Sequence, residues 1–171
     1  LRTEAQNLGR TNFFTFGEIY GADDNYMKSY IGTLTGGSYK LDAALDFQFY
    51  YNMNNVFATG SRPPSDIVGR LQSRATNLPG HHLKMPNFFD NHDVRRFMNV
   101  TGDTGNTQTQ RTRRLEQALI FTFFAPGPPI VYYGTEQGFN GGNDPNNRED
   151  MFDGLFESGP SVGNNFATGS S

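Results

Sequence analysis

Short apolar blocks recur along the chain, and each has the length of a buried β-strand bounded by turn residues. They are Asn12–Tyr20 (NFFTFGEIY), Ala43–Tyr50 (AALDFQFY), Pro86–Asp90 (PNFFD) and Pro129–Tyr133 (PIVYY). Three of these blocks predict strands. The block Ala43–Tyr50 is compatible with either a strand or a helix, because periodicity alone does not separate the two in so short a run.

Helical periodicity fills the intervals between the apolar blocks. Asp66–Asn77 follows a Pro-Pro-Ser-Asp start signal, with Asp66 as the expected N-terminal cap. Thr109–Phe124 carries its leucines, isoleucine and phenylalanine at helical spacing and stops before Pro126. Leu1–Gly9 resembles the end of a helix. Strands that alternate with helices predict a parallel sheet, and therefore an α/β fold.

Polar stretches separate these elements without dividing the chain. Thr101–Gln110 and Gly138–Asn147 are rich in turn residues and predict loops. No linker splits residues 1–157, which we interpret as one partial domain. Residues 158–171 form a Gly/Ser/Asn-rich tail that we expect to be poorly ordered.

The composition indicates a folded domain with many loops. Of the 171 residues, 14% are aromatic, which is unlike a disordered chain, and 20 are glycine and 9 proline. The formal net charge of −3 argues against nucleic acid as the main partner. No apolar run approaches the roughly 20 residues of a membrane span, so we expect no membrane partner. Cysteine is absent, which excludes a disulfide scaffold and a thiolate metal site.

Acidic residues follow three of the predicted strands, at the end where parallel α/β folds place their active sites. Glu18 ends the first block, Asp93 follows the block at Pro86–Asp90, and Glu136 follows the last block. Glu18 comes after three phenylalanines, and aromatic surface disfavours the charged form of a carboxyl group, which suits a general acid. The alternative, in which Glu18 caps the next helix, remains open at this level.

The sequence Asn91-His92-Asp93 is denser in polar groups than the end of a strand requires. It is compatible with an ordinary turn around a hydrogen-bonded histidine, or with a functional site. Adjacent His and Asp residues lack the ligand spacing of a zinc site. Arg95 and Arg96 follow at once, and one of them could hold a carboxylate through a bidentate contact.

Asp144 and Arg148 flank a Pro-Asn-Asn turn, so a local salt bridge between them is the simplest interpretation. The segment Asp144–Asp150 offers alternate oxygen ligands but lacks the glycine and the late glutamate of a calcium loop, and we predict no metal site in this chain. Glu18 and Asp93 together provide the paired carboxylates that glycoside hydrolysis uses. Nearby aromatic and amide side chains suit a sugar substrate.

Three motifs resemble, in order, those of the α-amylase family, glycoside hydrolase family 13. Phe16–Tyr20 (FGEIY) resembles the motif on the fifth strand of that family's barrel, Phe88–Asp93 (FFDNHD) the seventh, and Pro128–Glu136 (PPIVYYGTE) the eighth. Leu45-Asp46-Phe47 is similar to the sixth strand. A finer resemblance is to the branch with cyclodextrin glucanotransferases and maltogenic amylases, and it rests on the sequences RLEQAL, YGTEQ and DPNNR.

The resemblance implies the C-terminal half, strands five to eight, of a (β/α)₈ TIM barrel that cleaves α-1,4-glucosidic bonds of starch-like glucans with retention. It implies that Glu18 is the general acid/base and that Asp93 stabilises the transition state, whereas the two carboxylates alone would suggest Asp93 as the nucleophile. It also implies substrate-binding roles for four residues, which are His92, Tyr20, Asp144 and Arg148.

The nucleophile of the family is an aspartate in a Gly-Phe-Arg-x-Asp motif on the fourth strand, and no such motif occurs in this sequence. We therefore expect a fragment that needs the N-terminal half of the barrel, is inactive alone and exposes strand edges that favour association. The resemblance also implies an extracellular enzyme that could carry calcium outside this chain. Two alternatives stay open: part of a cyclodextrin-forming glucanotransferase, or a non-catalytic glucan-binding remnant.

Overall fold

A computed structural model describes residues 1–21, 23–32 and 40–151. The predicted tail at 158–171, and its boundary, lie outside the described residues. A π-helical turn at Asn54–Ala58 continues the helix Phe47–Met53, and a 3₁₀ turn covers Thr135–Gln137. The helices and strands are α1 (Arg2–Asn7), β1 (Phe16–Gly17), α2 (Asp24–Met27), β2 (Ala43–Ala44), α3 (Phe47–Met53), α4 (Ser65–Asn77), α5 (Phe97–Gly102) and α6 (Gln108–Phe124).

Four extended segments lie side by side in the order in which they occur along the chain. They are β1, β2, a third segment at Asn87 and a fourth at Pro129. The first two, β1 and β2, pair in parallel. The backbone N–H of Asp46, just beyond β2, donates to the carbonyl of Pro86 at 3.1 Å. Asn87 then forms a parallel bridge with Pro129. Successive neighbours joined through helices are the arrangement found in a piece of a TIM barrel, and the predicted α/β class is confirmed.

The regular strands are much shorter than the apolar blocks that predict them. Only Phe16–Gly17 is paired within the first block, and the last two blocks contribute a single bridge between Asn87 and Pro129. Proline has no N–H to donate to a ladder, and Pro128 and Pro129 stand where the fourth strand would pair. The prediction of extended strands over the full blocks is therefore wrong in length.

The ambiguous block Ala43–Tyr50 contains both of the structures that its pattern allows. Two residues form β2, and α3 begins three residues later at Phe47. Asp46 makes this abrupt change possible, because its side chain accepts a hydrogen bond from the backbone N–H of Phe49 at 2.9 Å and so caps the helix.

The longest helix, α6, confirms the predicted helix at Thr109–Phe124. A reciprocal capping box starts it: Gln110 N–H donates to the Thr107 hydroxyl at 3.3 Å, and Thr107 N–H donates to the Gln110 side chain at 2.8 Å. The predicted loop at Thr101–Gln110 is wrong at both ends, because α5 reaches Gly102 and α6 starts at Gln108.

The helix predicted at Asp66–Asn77 is also present, but Asp66 is not its cap. Helix α4 begins one residue earlier, at Ser65, after Pro64, and has no side-chain cap. The carboxylate of Asp66 instead accepts a 2.6 Å hydrogen bond from Nε of Arg62. Its place in the first turn still suits the helix dipole.

Two apolar clusters hold these elements together. The larger lies between α3, α4, α5 and α6, and the smaller packs β2 against α2. Among the described residues, no helix is long and apolar enough to span a bilayer. Fully buried members of the larger cluster include Phe49, Met53, Ala58, Phe97 and Ala118.

A buried ionic network fixes α4 beneath the extended segments. Asp46 pairs with Arg70 at 2.9 Å and with Arg74 at 2.9 Å, and Arg70 reaches Asp24 at 2.6 Å. Arg74 also donates to the Asn87 amide oxygen at 2.7 Å, which ties the helix to the third extended segment. Burial acts to raise the pKa of Asp24, but hydrogen bonds from the network, including one from Arg70, bring it below its ordinary value.

Candidate functional site

A cavity of about 230 Å³ lies at the carboxyl ends of all four extended segments. Each segment contributes to it beyond its carboxyl end, which is where α/β barrels place their active sites. Its walls are mainly aromatic and aliphatic, with acidic, amide and imidazole groups among them. The polar lining residues are Glu18, Asp90, Asn91 and His92.

Glu18 follows β1 directly and lines this cavity with an exposed side chain. It makes no ion pair within the part of the chain that the structure describes. The alternative of a helix cap is wrong, because Asp23 caps α2 by accepting from the N–H of Tyr26 at 2.8 Å. The Glu18 carboxyl group is therefore available to a ligand in the cavity.

The predicted turn at Asn91-His92-Asp93 is present and presents two of the candidate residues. The N–H of Asp93 donates to the Asn91 side-chain oxygen at 2.8 Å, which closes the turn. His92 Nε2 lies 3.2 Å from Asp93 Oδ2, and about half of each side chain is exposed. His92 lines the cavity. Asp93 does not line the cavity, but it lies beside the cavity in contact with His92.

Arg148 joins the second pair of predicted residues to the first. Its Nε lies 2.8 Å from Asp144, which confirms the local salt bridge, and its guanidinium also lies 3.4 Å from Asp93. The same side chain donates to the His92 carbonyl at 3.3 Å. Residues 55 positions apart in sequence thus form one continuous polar edge beside the cavity.

Tyr20 stands apart from this polar edge. The residue is 70% exposed and does not line the cavity, and its ring meets the ring of Phe47 edge-on at 5.0 Å. Phe47 in turn packs at 5.0 Å on Phe88, which does line the cavity. An aromatic row therefore leads from Tyr20 towards the site, and the exposed face of Tyr20 can stack on a flat ligand.

Asp90 is a buried acid in the lining of the cavity, and the sequence did not reveal its burial. It accepts from the backbone N–H of Phe97 at 3.0 Å and from the Thr135 hydroxyl at 2.9 Å. Burial raises the pKa of this carboxyl group to about 6, although these hydrogen bonds and the charge of Arg96 act in the opposite direction. The only signal in the sequence was an aspartate directly after two phenylalanines.

Both arginines that follow the turn hold carboxylates, as predicted for one of them. Arg95 donates two hydrogen bonds, of 2.7 and 2.8 Å, to the Asp103 carboxylate at the surface. Arg96 is fully buried and pairs through Nε with Glu149 at 2.8 Å. Its guanidinium also lies 4.0 Å from the ring centroid of Tyr132, a wall of the cavity.

The described residues contain no group of three or more His, Cys, Asp or Glu side chains placed to hold a metal ion. In the segment considered for calcium, Asp144 is paired with Arg148 and Glu149 with Arg96. These carboxylates point to arginines rather than to a common centre, so the segment does not fit a calcium site.

A second depression, of about 340 Å³, lies near Asp24 and Arg70. Its polar groups already bond to one another: Asp24 accepts from Arg70, from Ser73 and from Asn77. The aromatic cavity with the unpaired Glu18 is therefore the stronger candidate for a ligand site.

Comparison with known proteins points to a single family. Residues 1–161 match the family model "Alpha amylase, catalytic domain". The chain is 37% identical over 142 residues to the beta/alpha-amylase of Paenibacillus polymyxa, and 35% identical over 136 residues to the cyclomaltodextrin glucanotransferase of Bacillus sp. (strain 17-1). Its fold superposes on the crystal structure of an Anoxybacillus alpha-amylase with a TM-score of 0.72 and 28% sequence identity.

These matches cover most of this chain but a small part of each relative. They include 82% and 79% of the chain, against 11% and 17% of the two sequence relatives. The structural match includes 86% of this chain and 30% of its counterpart.

Proposed function

The chain belongs to the α-amylase family through its catalytic domain, and from this premise we propose that it supplies the acid/base side of the active site of a retaining hydrolase of α-1,4-glucans. The proposal includes the assignment of its extended segments to strands five to eight of the barrel. The comparisons show the family; the glycosidase activity, the substrate and the residue roles are inferences.

The observation that carries the proposal is the free carboxyl group of Glu18 in an aromatic cavity that His92 also lines. A glucan needs flat apolar surface for its sugar faces and polar groups for its hydroxyls. In this assignment Glu18 protonates the glycosidic oxygen as the bond breaks, then removes a proton from the incoming water. Both steps require a carboxyl group that no cation holds.

Asp93 and His92 form the second part of the proposed site. Asp93 carries negative charge beside the cavity and stabilises the positive charge that develops on the sugar ring. Its neighbour His92 bonds a sugar hydroxyl, and Arg148 with Asp144 extends the polar edge to a more distant sugar. The aspartate nucleophile comes from the other half of the barrel, which we propose as the essential partner of this chain.

A cyclodextrin-forming glucanotransferase is the second candidate, and its support is the 35% identity to such an enzyme beside 37% to an amylase. The two reactions share the first step and differ in the acceptor, which is water in one and a glucan hydroxyl in the other. The described cavity residues serve both.

Incubation of the full-length enzyme with maltoheptaose, followed by proton NMR of the first products, tests the proposal. Linear products in the α-anomeric form are expected. Cyclic products would support the glucanotransferase instead. Products released in the β-form, or no cleavage by a folded full-length enzyme, would contradict the proposed function.

A further inference from the structure

The turn that carries His92 and Asp93 is held from behind by one buried amide, that of Asn147. Its Nδ2 donates to the backbone carbonyls of Val94 at 2.7 Å and His92 at 2.8 Å, and lies 3.4 Å from that of Asn91. Asn147 is completely buried, although it lies on an otherwise exposed polar turn. Carbonyl oxygens only accept hydrogen bonds, so the amide nitrogen must face them.

The side-chain oxygen of Asn147, in contrast to its nitrogen, is not satisfied. The Oδ1 of Asn147 is buried with no hydrogen-bond partner in the described part of the chain. An unsatisfied buried acceptor is unfavourable, so the contacts on the nitrogen side must outweigh it. All of those contacts are to the Asn91–Val94 turn.

The two residues that follow Asn147 attach to the same turn and to the segment directly after it. Arg148 contacts the His92 carbonyl and the Asp93 carboxylate, and Glu149 pairs with Arg96 at 2.8 Å. Gly141 packs so closely on the carbonyl of Asn146 that a side chain would not fit there, which keeps this loop closed on itself. The loop is thus a compact block that presents the Asn147 amide to the turn.

We propose that Asn147 is a positioning residue, whose buried amide sets the conformation of the Asn91–Val94 turn and thereby the place of His92 and Asp93. The inference rests on the proposed function for its catalytic consequence. The contacts between Asn147 and the turn are a property of the fold and do not depend on the proposed function. Asn147 touches no cavity surface, so its effect on a reaction passes through the turn.

Two variants separate loss of the donor from a change of size. Asn147→Ala removes the amide, and Asn147→Asp keeps its shape but places an acceptor against three acceptors. Asn146→Ala is the matched control, because Asn146 lies on the same turn with an exposed side chain. All three belong in the full-length enzyme.

The first measurement is backbone hydrogen exchange of a peptide spanning residues 91–96, which needs no activity. Faster exchange in that peptide is expected for both Asn147 variants and not for the control. Unchanged exchange would overturn the proposal. Faster exchange throughout the domain would also overturn it, because it would show a role in global stability.

The second measurement is the kinetics of maltoheptaose cleavage well below the unfolding temperature. A displacement of Asp93 lowers kcat by up to about 100-fold, since Asp93 acts in the transition state, and KM, which depends on His92, is expected to rise by a smaller factor. A kcat within threefold of wild type, with exchange accelerated, would overturn the positioning role. An inactive wild type with accelerated exchange in the variants would refute the proposed function and would still support the effect of Asn147 on the turn.

Discussion

Arg96 and Glu149 form an ion pair, with Nε and Oε2 2.8 Å apart, in which neither side chain exposes any surface. The two residues are 53 positions apart and bring together the loop after the third extended segment and the loop after the fourth. Glu149 also accepts a hydrogen bond from the N–H of Gly141. The pair therefore links these two loops next to the proposed catalytic turn.

Replacement of Glu149 by glutamine tests this link. The variant retains the size of the side chain but leaves the Arg96 charge buried and unpaired, so we expect the free energy of unfolding to fall by about 3 kcal/mol or more. Urea denaturation of wild type and E149Q measures the difference. Arg95→Met is the control: it breaks a partly exposed pair with Asp103 and a hydrogen bond to Asn99, and it is expected to cost less than the loss of the buried pair. Equal losses in the two variants would contradict the assigned burial.

Asp90 predicts a pH dependence of stability with a definite sign. Its pKa is raised by burial from 3.8 to about 6 in the folded protein, so the folded state holds the proton more tightly than the unfolded state. The stabilising contribution is fully present below about pH 4 and is lost as the pH rises to about 6. The loss is on the order of 3 kcal/mol.

Asp90→Asn removes this titration while preserving the shape of the side chain. The difference in unfolding free energy between wild type and D90N, measured at pH 4, 5, 6 and 7, is expected to shift in favour of the variant as the pH rises. A difference that does not vary with pH would show that Asp90 titrates at its ordinary value.

Arg148 is expected to affect the binding of long substrates more than of short ones. Arg148→Met removes the pair with Asp144 and the contact with Asp93, and loses a charged hydrogen-bond donor worth about 1.5 kcal/mol to a sugar hydroxyl. The ratio of kcat/KM for maltoheptaose to that for maltotriose should fall about tenfold. Arg113→Met, a change at an exposed position of α6, is the control. An unchanged ratio would remove Arg148 from the substrate site.

The sequence was sufficient for elements whose structure is determined locally. Helix α6 has helical periodicity, a capping box at Thr107 and a proline stop, and its predicted bounds differ by one residue from those observed. The strands were predicted too long, because proline and the early helix cap at Asp46 decide where pairing ends. The apolar pattern of the first block did not predict burial correctly either, because Phe13, Phe14 and Phe16 are exposed.

The candidate site also contains some residues that the sequence identified and others that it did not. Glu18, His92, Asp93 and Arg148 belong to short motifs, and the structure brings them to one cavity and its edge. The roles of Glu149 and Asn147 depend on contacts across more than 50 residues, and nothing in their polar surroundings in the sequence distinguishes them from loop residues on the surface. Only the folded chain shows that they are buried.

The Glu18→Gln variant of the full-length enzyme tests the proposed acid role of Glu18. Hydrolysis of maltoheptaose is expected to fall by about 1,000-fold, because the leaving oxygen loses its proton donor. Release of fluoride from α-maltosyl fluoride in the first turnover should fall much less, because fluoride leaves without a proton and the base role of Glu18 acts only on the later attack of water. Glu136→Gln, a change at an exposed acid outside the cavity, should retain activity on both substrates. An E18Q enzyme that hydrolyses maltoheptaose at the wild-type rate, or loses both activities equally, would contradict the assignment.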